Sequence, residues 1–227
     1  MKNAAVIQVR MDSSRFPSKA TALILNKPLL WHVIERSKKI GIPVIVATTS
    51  RQIDDPIEEI TKNCGVSIFR GSYKNVLERY YQTAKEFSIE NIFRISADTP
   101  LLDPKLCSEM VQIFNNNDFD YVRFDENTVG IGMEGFKFSA LEKAFFNVKS
   151  DEEKEHVTIY LKNKSNNFKS KTIQTKYDLG KFHWTVETKY DLEFVTNIFK
   201  EFKTRTIFYT DEILELIKIY PNLKKIQ

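Results

Sequence analysis

Residues 6–19, VIQVRMDSSRFPSK, gather the cations Arg10, Arg15 and Lys19 with the hydroxyls Ser13, Ser14 and Ser18. They follow an apolar run, Ala4 to Val9, that is broken only by Gln8. In an open α/β sheet, such a loop lies outside the carboxyl end of a strand, where these sheets bind ligands. Cations spaced among hydroxyls suit a polyphosphate, whose several oxygens each need a donor. A solvated basic loop has the same composition, and charge alone does not separate the two readings.

Two carboxylates bear on the choice. Asp98 follows the apolar segment NIFRI within ISADTPLL, and Glu187 follows FHWTV within TVETKYDL. Each is expected at a strand end, and Mg²⁺ takes one or two carboxylates together with phosphate oxygens. The competing reading of Asp98 is a turn cap before Pro100. Asp191 is expected to face solvent or to cap a helix. His32, His156 and His183 show no metal-ligand spacing; His32 reads as a satisfied helix-face residue and the other two as structural. Ser13 and Ser14 lack the glycines of a nucleophile elbow, and no GKS or GKT closes the loop as in a Walker motif.

The elements that must position these groups alternate. Strands are expected at 4–9, 43–48, 66–69 and 91–95. A helix from Lys27 to Lys39 has Pro28 in its first turn and Gly41 as its stop. Asp55, Pro56 and Glu58 read as a capping box, with Ile57, Ile60 and Cys64 on one face and Gly65 as terminator. Val76, Leu77, Tyr80 and Ala84 mark the next helix, and Asp103-Pro104 opens one that buries Leu106, Met110, Ile113 and Phe114. Such alternation implies βαβ units and a mostly parallel sheet. In the second half, strands 119–124 and 133–138 read as an antiparallel pair around a turn with Gly130 and Gly132. Helices are expected at 139–147, 151–164, 189–203 and 211–219, and strands at 171–176 and 182–187. No repeat or linker interrupts the chain, which reads as one α/β domain over 1–227.

Composition narrows the function classes. A net charge of +4 with scattered Lys and Arg argues against nucleic acid. Two cysteines without a CxxC or Cys/His grouping suggest neither a disulfide framework nor a zinc site. No apolar run approaches the ~18 residues of a membrane span, and no signal-peptide pattern is evident. The cytoplasm is the expected compartment.

VIQVRMDSSRFPSK resembles the pattern I-x-A-R-x-G-S-x-R-L-P-G-K of the sugar-acid cytidylyltransferases, which include the CMP-3-deoxy-manno-octulosonate and CMP-acylneuraminate synthetases. KPLLWHVIER, VIVATTS, DDPIEEI, GVSIFRGS, NVLERYYQTA, RISADTPLLDP, KEHVTIYL and HWTVETKYDLEFV resemble further blocks, in order, of the branch called spore coat polysaccharide biosynthesis protein F. The similarity spans roughly residues 4–200.

This resemblance implies a nucleotide-diphospho-sugar transferase fold, a Rossmann-like, GT-A-like mixed sheet flanked by helices. It also implies a homodimer, with a dimerisation or acceptor extension around 120–180. The implied reaction is attack of a sugar-acid hydroxyl on the α-phosphate of CTP, with pyrophosphate leaving. Arg10, Ser13, Ser14, Arg15 and Lys19 would hold the triphosphate, with Arg10 nearest the β/γ oxygens; Arg10, Lys19 and Asp98 would form the catalytic set. Asp98 and Glu187 would hold Mg²⁺. Thr48, Thr49, Arg70 and Ser72 would line the cytosine and ribose side, and Glu134 would join the substrate-binding set.

Four departures from the pattern stand out. Asp12 replaces a glycine and adds a negative charge beside a triphosphate. Ser18 replaces another glycine, so a positive φ there becomes costly. Glu187 stands for an Asp, and GIGMEGF places Gly132 where an Asp is usual while keeping Glu134. Two alternatives therefore stay open: a nucleotidylyltransferase for a sugar phosphate or phosphonate, and a catalytically weakened nucleotide-binding homologue.

Overall fold

The apolar run at the start of the chain forms β1 (Asn3–Gln8), and a small ribbon of β2 (Leu23–Ile24) and β3 (Lys27–Pro28) leads into α1 (Leu29–Lys38). Alternation continues through β4 (Val44–Thr49), α2 (Asp55–Asn63), β5 (Ser67–Gly71), α3 (Val76–Glu86), β6 (Asn91–Ser96) and α4 (Pro104–Asn115). The second half adds β7 (Tyr121–Phe124), β8 (Glu134–Lys137), α5 (Phe138–Asn147), α6 (Asp151–Glu155) and α7 (Ile159–Lys162). It closes with β9 (Ser170–Ile173), α8 (Lys189–Glu201) and α9 (Thr210–Ile219). This computed structural model describes residues 1–177, 179, 182, 184–203 and 205–223. His183 lies outside the described residues. No described helix is long and apolar enough to cross a membrane.

Seven strands make one sheet in the order β5-β4-β1-β6-β8-β7-β9. β1 pairs in parallel with both β4 and β6, whereas β8 runs antiparallel to β6 and β7. A parallel strand buried on both faces must be apolar throughout. β1 satisfies this over residues 4–7: Ala5 and Ile7 face a core with α1, α4, α8 and α9, while Ala4 and Val6 face a second core with α3, α5 and α7. The carboxyl ends of β1 and β6 therefore lie side by side, which brings the basic loop next to Asp98.

Several local expectations need correction. Lys27 and Pro28 belong to the ribbon, because Pro28 has ψ 146° and the helix starts only at Leu29. Asp55 and Glu58 form no capping box. Glu58 pairs instead with Arg70, and the preceding Asp54 is buried, accepting from the Met11 amide. The helix expected over 151–164 breaks into α6 and α7. There Val157 turns fully inward, and the Thr158 hydroxyl donates to Glu134 on β8. Residues 184–187, expected within a strand, are irregular; they cross the end of β6, where Val186 N donates to Asp98 O at 2.8 Å.

Candidate active site

β1 ends at Gln8, and the basic loop then turns over the sheet edge before Lys19 begins a short 3-10 turn. Two bonds fix the loop: Ser18 N donates to Met11 O at 2.7 Å, and Met11 N donates to Asp54 at 2.7 Å. Ser18 adopts φ 60°, the left-handed conformation that the glycine-to-serine departure makes costly.

The loop forms one wall of a cleft of about 420 Å³. Arg10, Ser13, Ser14, Arg15 and Lys19 all line it, and Asp98 faces them from the end of β6. Lys19 Nζ lies 3.0 Å from Asp98 Oδ2 and donates to Val186 O at 3.1 Å. Arg15 Nη1 pairs with Glu187. Asp98 lines the cleft, whereas Glu187 does not; Glu187 reaches it through its pair with Arg15 and follows Val186, whose amide donates to Asp98 O. Asp191 caps α8 by accepting from the Glu187 and Thr188 amides, and it is buried, not solvent-facing.

Asp12 does not confront the cleft with a free charge. Its carboxylate takes Arg51 Nη1 at 2.7 Å and sits 3.5 Å from Arg10 Nε. Arg51 stacks 3.6 Å above the Tyr73 ring. The Arg51 hydrogen bond, aided by the charges of Arg51 and Arg10, holds the Asp12 carboxyl below its ordinary value. Arg10 also reaches Glu155 on α6 at 3.2 Å.

The four residues expected to line the cytosine and ribose side have other side-chain partners. Thr48 and Thr49 are fully buried, and the Thr49 hydroxyl donates to Asp54. Arg70 Nε donates to Thr49 O at 3.0 Å and its guanidinium pairs with Asp55 and Glu58, so it ties β5 to α2. The Ser72 hydroxyl accepts from Asn75 N. None of these four lines the cleft. Sequence reasoning missed Arg79, which does line it from α3; His156, expected near a site but as a structural residue, is on the cleft wall after α6. The signal for Arg79 was a charge on the apolar stripe between Val76 and Tyr80.

Glu134 belongs to a second cavity of about 350 Å³ that meets the cleft at Ser96. Its carboxylate accepts from Arg94 at 2.6 Å, Lys162 at 2.8 Å and the Tyr121 hydroxyl. Burial alone would raise this carboxyl, but the charges of Arg94 and Lys162 outweigh it and hold the group at about 2. Arg123, also on this cavity, pairs with exposed Glu126 at 3.7 Å. Gly132 lines it too; a Cβ there would lie 2.6 Å from the Phe124 ring, so Phe124 fills the space of any side chain at 132.

Among the described residues, no three His, Cys, Asp or Glu side chains gather to hold a metal ion by themselves. Two carboxylates beside a basic cleft are nonetheless a donor set of the kind Mg²⁺ uses when phosphate oxygens complete its shell.

Comparison with known proteins agrees with this architecture. The family profile described as cytidylyltransferase matches residues 4–226. The structure of a cytidylyltransferase from Leptospira borgpetersenii superposes with TM-score 0.92 and 30% identity, covering 100% of this chain and 98% of that one. The spore coat polysaccharide biosynthesis protein SpsF of Bacillus subtilis is 24% identical over 96% of this chain and 94% of its own length. The CTP complex of CMP:2-keto-3-deoxy-manno-octonic acid synthetase shares the fold at TM-score 0.68 and 16% identity, covering 88% of this chain and 99% of that one. The mixed seven-stranded sheet is thus of the nucleotide-diphospho-sugar transferase type.

Proposed function

This chain belongs to the cytidylyltransferase family, and we propose that it couples CTP to a sugar acid, yielding a CMP-sugar and pyrophosphate. One observation carries the reading: the basic cleft and the cavity around Glu134 share a wall at Ser96, so two substrates can meet there. In it, Arg10, Ser13, Ser14, Arg15 and Lys19 hold the triphosphate in the cleft. The acceptor occupies the second cavity, with its hydroxyl in line with the α-phosphate. Such a transfer relies on positioning and on neutralising charge on the phosphoryl group and the leaving pyrophosphate.

Arg123 supports an anionic acceptor. Its contact with the exposed Glu126 is weak, and a carboxylate entering the cavity offers it a better partner. Asp98 and Glu187 are the residues that would hold Mg²⁺, which when bound neutralises phosphate charge. The structure also answers two of the departures. Arg51 absorbs the charge of Asp12, and Ser18 takes the left-handed conformation despite its side chain. Both support an active enzyme over a weakened homologue.

The test is pyrophosphate release from CTP and Mg²⁺ across a panel of sugar acids, sugar phosphates and phosphonates. Turnover with a sugar acid is the expected result. Release only with a phosphorylated acceptor would replace the acceptor class, and none with any acceptor would overturn the reading.

A further inference from the structure

Two arginines are almost wholly buried, and they are treated differently. Arg36 is fully satisfied: Nε donates to Leu102 O at 2.7 Å, Nη1 to Thr206 O at 3.0 Å, and Nη2 to Phe208 O. It works as a structural staple. Arg79 is 2% exposed, yet among the described residues its guanidinium makes one hydrogen bond, from Nη1 to Ser72 O at 2.9 Å. Among the described residues, its Nε is buried without a partner, Nη2 makes no hydrogen bond, and no carboxylate lies within ion-pair distance. The nearby Glu155 is already paired with Arg10. A buried cation without a counter-charge is expensive to keep. Arg79 lines the same cleft as Arg10 and Lys19, and it does not line the second cavity.

We propose that Arg79 is a further nucleotide-binding residue, whose Nε/Nη2 edge receives two oxygens of a phosphoryl group in the cleft. This deepens the reading of the cleft as a nucleotide site and rests on it. The Nε and Nη2 of a guanidinium donate in parallel from one planar edge, and a phosphoryl group presents two oxygens at matching spacing. Nη1, held by Ser72 O, fixes the ring of donors in place beforehand. Burial disfavours the charge and the adjacent Arg10 adds to that, together outweighing the favourable fields of Tyr80, Glu155 and Asp54; a phosphoryl anion relieves both.

The experiment is calorimetric titration of the full chain with CTP and, separately, with inorganic tripolyphosphate, for the parent, Arg79→Met, Arg79→Gln and Arg79→Lys. The Met and Gln variants are expected to bind tripolyphosphate roughly tenfold more weakly or worse, the ordinary loss for a charge-assisted contact. Lys, a point charge, recovers part of that loss. Thermal melts run alongside, and Arg79→Met is expected to melt at or above the parent temperature, because an uncompensated buried charge has gone. Parent-like tripolyphosphate affinity in any folded Met or Gln variant would overturn the assignment. If Met and Gln fail to fold, parent-like affinity in Arg79→Lys overturns it, and weakened affinity in Lys supports it. A parent chain that binds tripolyphosphate but not CTP would refute the cytidylyl reading and leave Arg79 standing; a parent that binds both, with folded Met and Gln variants that bind both equally well, refutes Arg79 alone.

Discussion

Lys19 Nζ sits 3.0 Å from Asp98 Oδ2, so the last cation of the basic loop is held by the acid at the end of β6. Arg15 and Glu187 repeat the arrangement. The cleft thus neutralises itself: each carboxylate proposed for a metal is paired with a cation proposed for phosphate. Substrate entry becomes an exchange of partners, and the cation can leave its acid cheaply only if something else takes that acid.

Nucleotide and metal binding should therefore be strongly coupled. Asp98→Asn frees Lys19 and removes a repulsive charge, so CTP without divalent cation is expected to bind several-fold tighter than to the parent. The improvement that Mg²⁺ gives the parent should disappear. Lys19→Ala should cut kcat/KM for CTP roughly 10- to 100-fold, matching the ~1.5–3 kcal/mol of a charge-assisted contact. Titrations with and without Mg²⁺ decide the first point, and an undiminished Mg²⁺ effect in Asp98→Asn would refute the exchange.

Ser18 is a stability prediction. Its φ of 60° is held by the bond from its amide to Met11 O and by those from Thr21 to its carbonyl. Left-handed backbone costs a non-glycine residue roughly 1 kcal/mol. Ser18→Gly should raise the urea midpoint, by an amount below that figure because glycine gains freedom in the unfolded chain. A lowered midpoint would show that the serine side chain contributes more than the strain removes.

Glu134 predicts a pH dependence. Its folded value of about 2 lies below the ordinary 4.5, so its contribution to stability is complete above pH 4.5. That contribution fades as pH falls from 4.5 towards 2. Glu134→Gln should lose about 2–3 kcal/mol at neutral pH, and the gap to the parent should narrow across that acid window. Denaturation series at pH 7, 4 and 2.5 measure it; a gap independent of pH would contradict the ion-pair origin.

Gly132 and Phe124 should be energetically coupled. Gly132→Ala sets a Cβ 2.6 Å from the Phe124 ring and is expected to cost about 1–3 kcal/mol through forced repacking. Phe124→Leu should relieve much of that cost in the double variant. A double-mutant cycle closing with no interaction energy would mean that the ring already has room to move.

The sequence made the cleft legible where chemistry is local. Three cations after an apolar strand, and an acid after another, needed only the rule about strand ends, and Asp103 caps α4 as its Asp-Pro pair suggests. Glu187 does not follow a strand as its sequence suggests; it follows irregular backbone anchored by Val186 on Asp98 and pairs with Arg15. The side chains of Thr48, Thr49 and Arg70 turn away from the cleft, because proximity to a strand end does not say which way a side chain faces. Asp55 and Glu58, which satisfy Arg70, come from a helix whose packing against β5 is a tertiary fact. The break between α6 and α7 was hidden likewise, since it depends on Thr158 meeting Glu134 from another strand.

The two faces of the sheet are also completed at different moments of synthesis. The core under α3, α5 and α7 has its last fully buried contributor at Leu161. The opposite core needs Phe199, Phe208, Ile213 and Ile217, and Arg36 on α1 waits for the carbonyls of Thr206 and Phe208. A growing chain can therefore seal one side of β1 while Ile7 and α1 stay uncovered until α8, Phe208 and α9 have been made. Truncation before α8 leaves a half-covered sheet with an apolar face, the kind of intermediate that aggregates or engages chaperones.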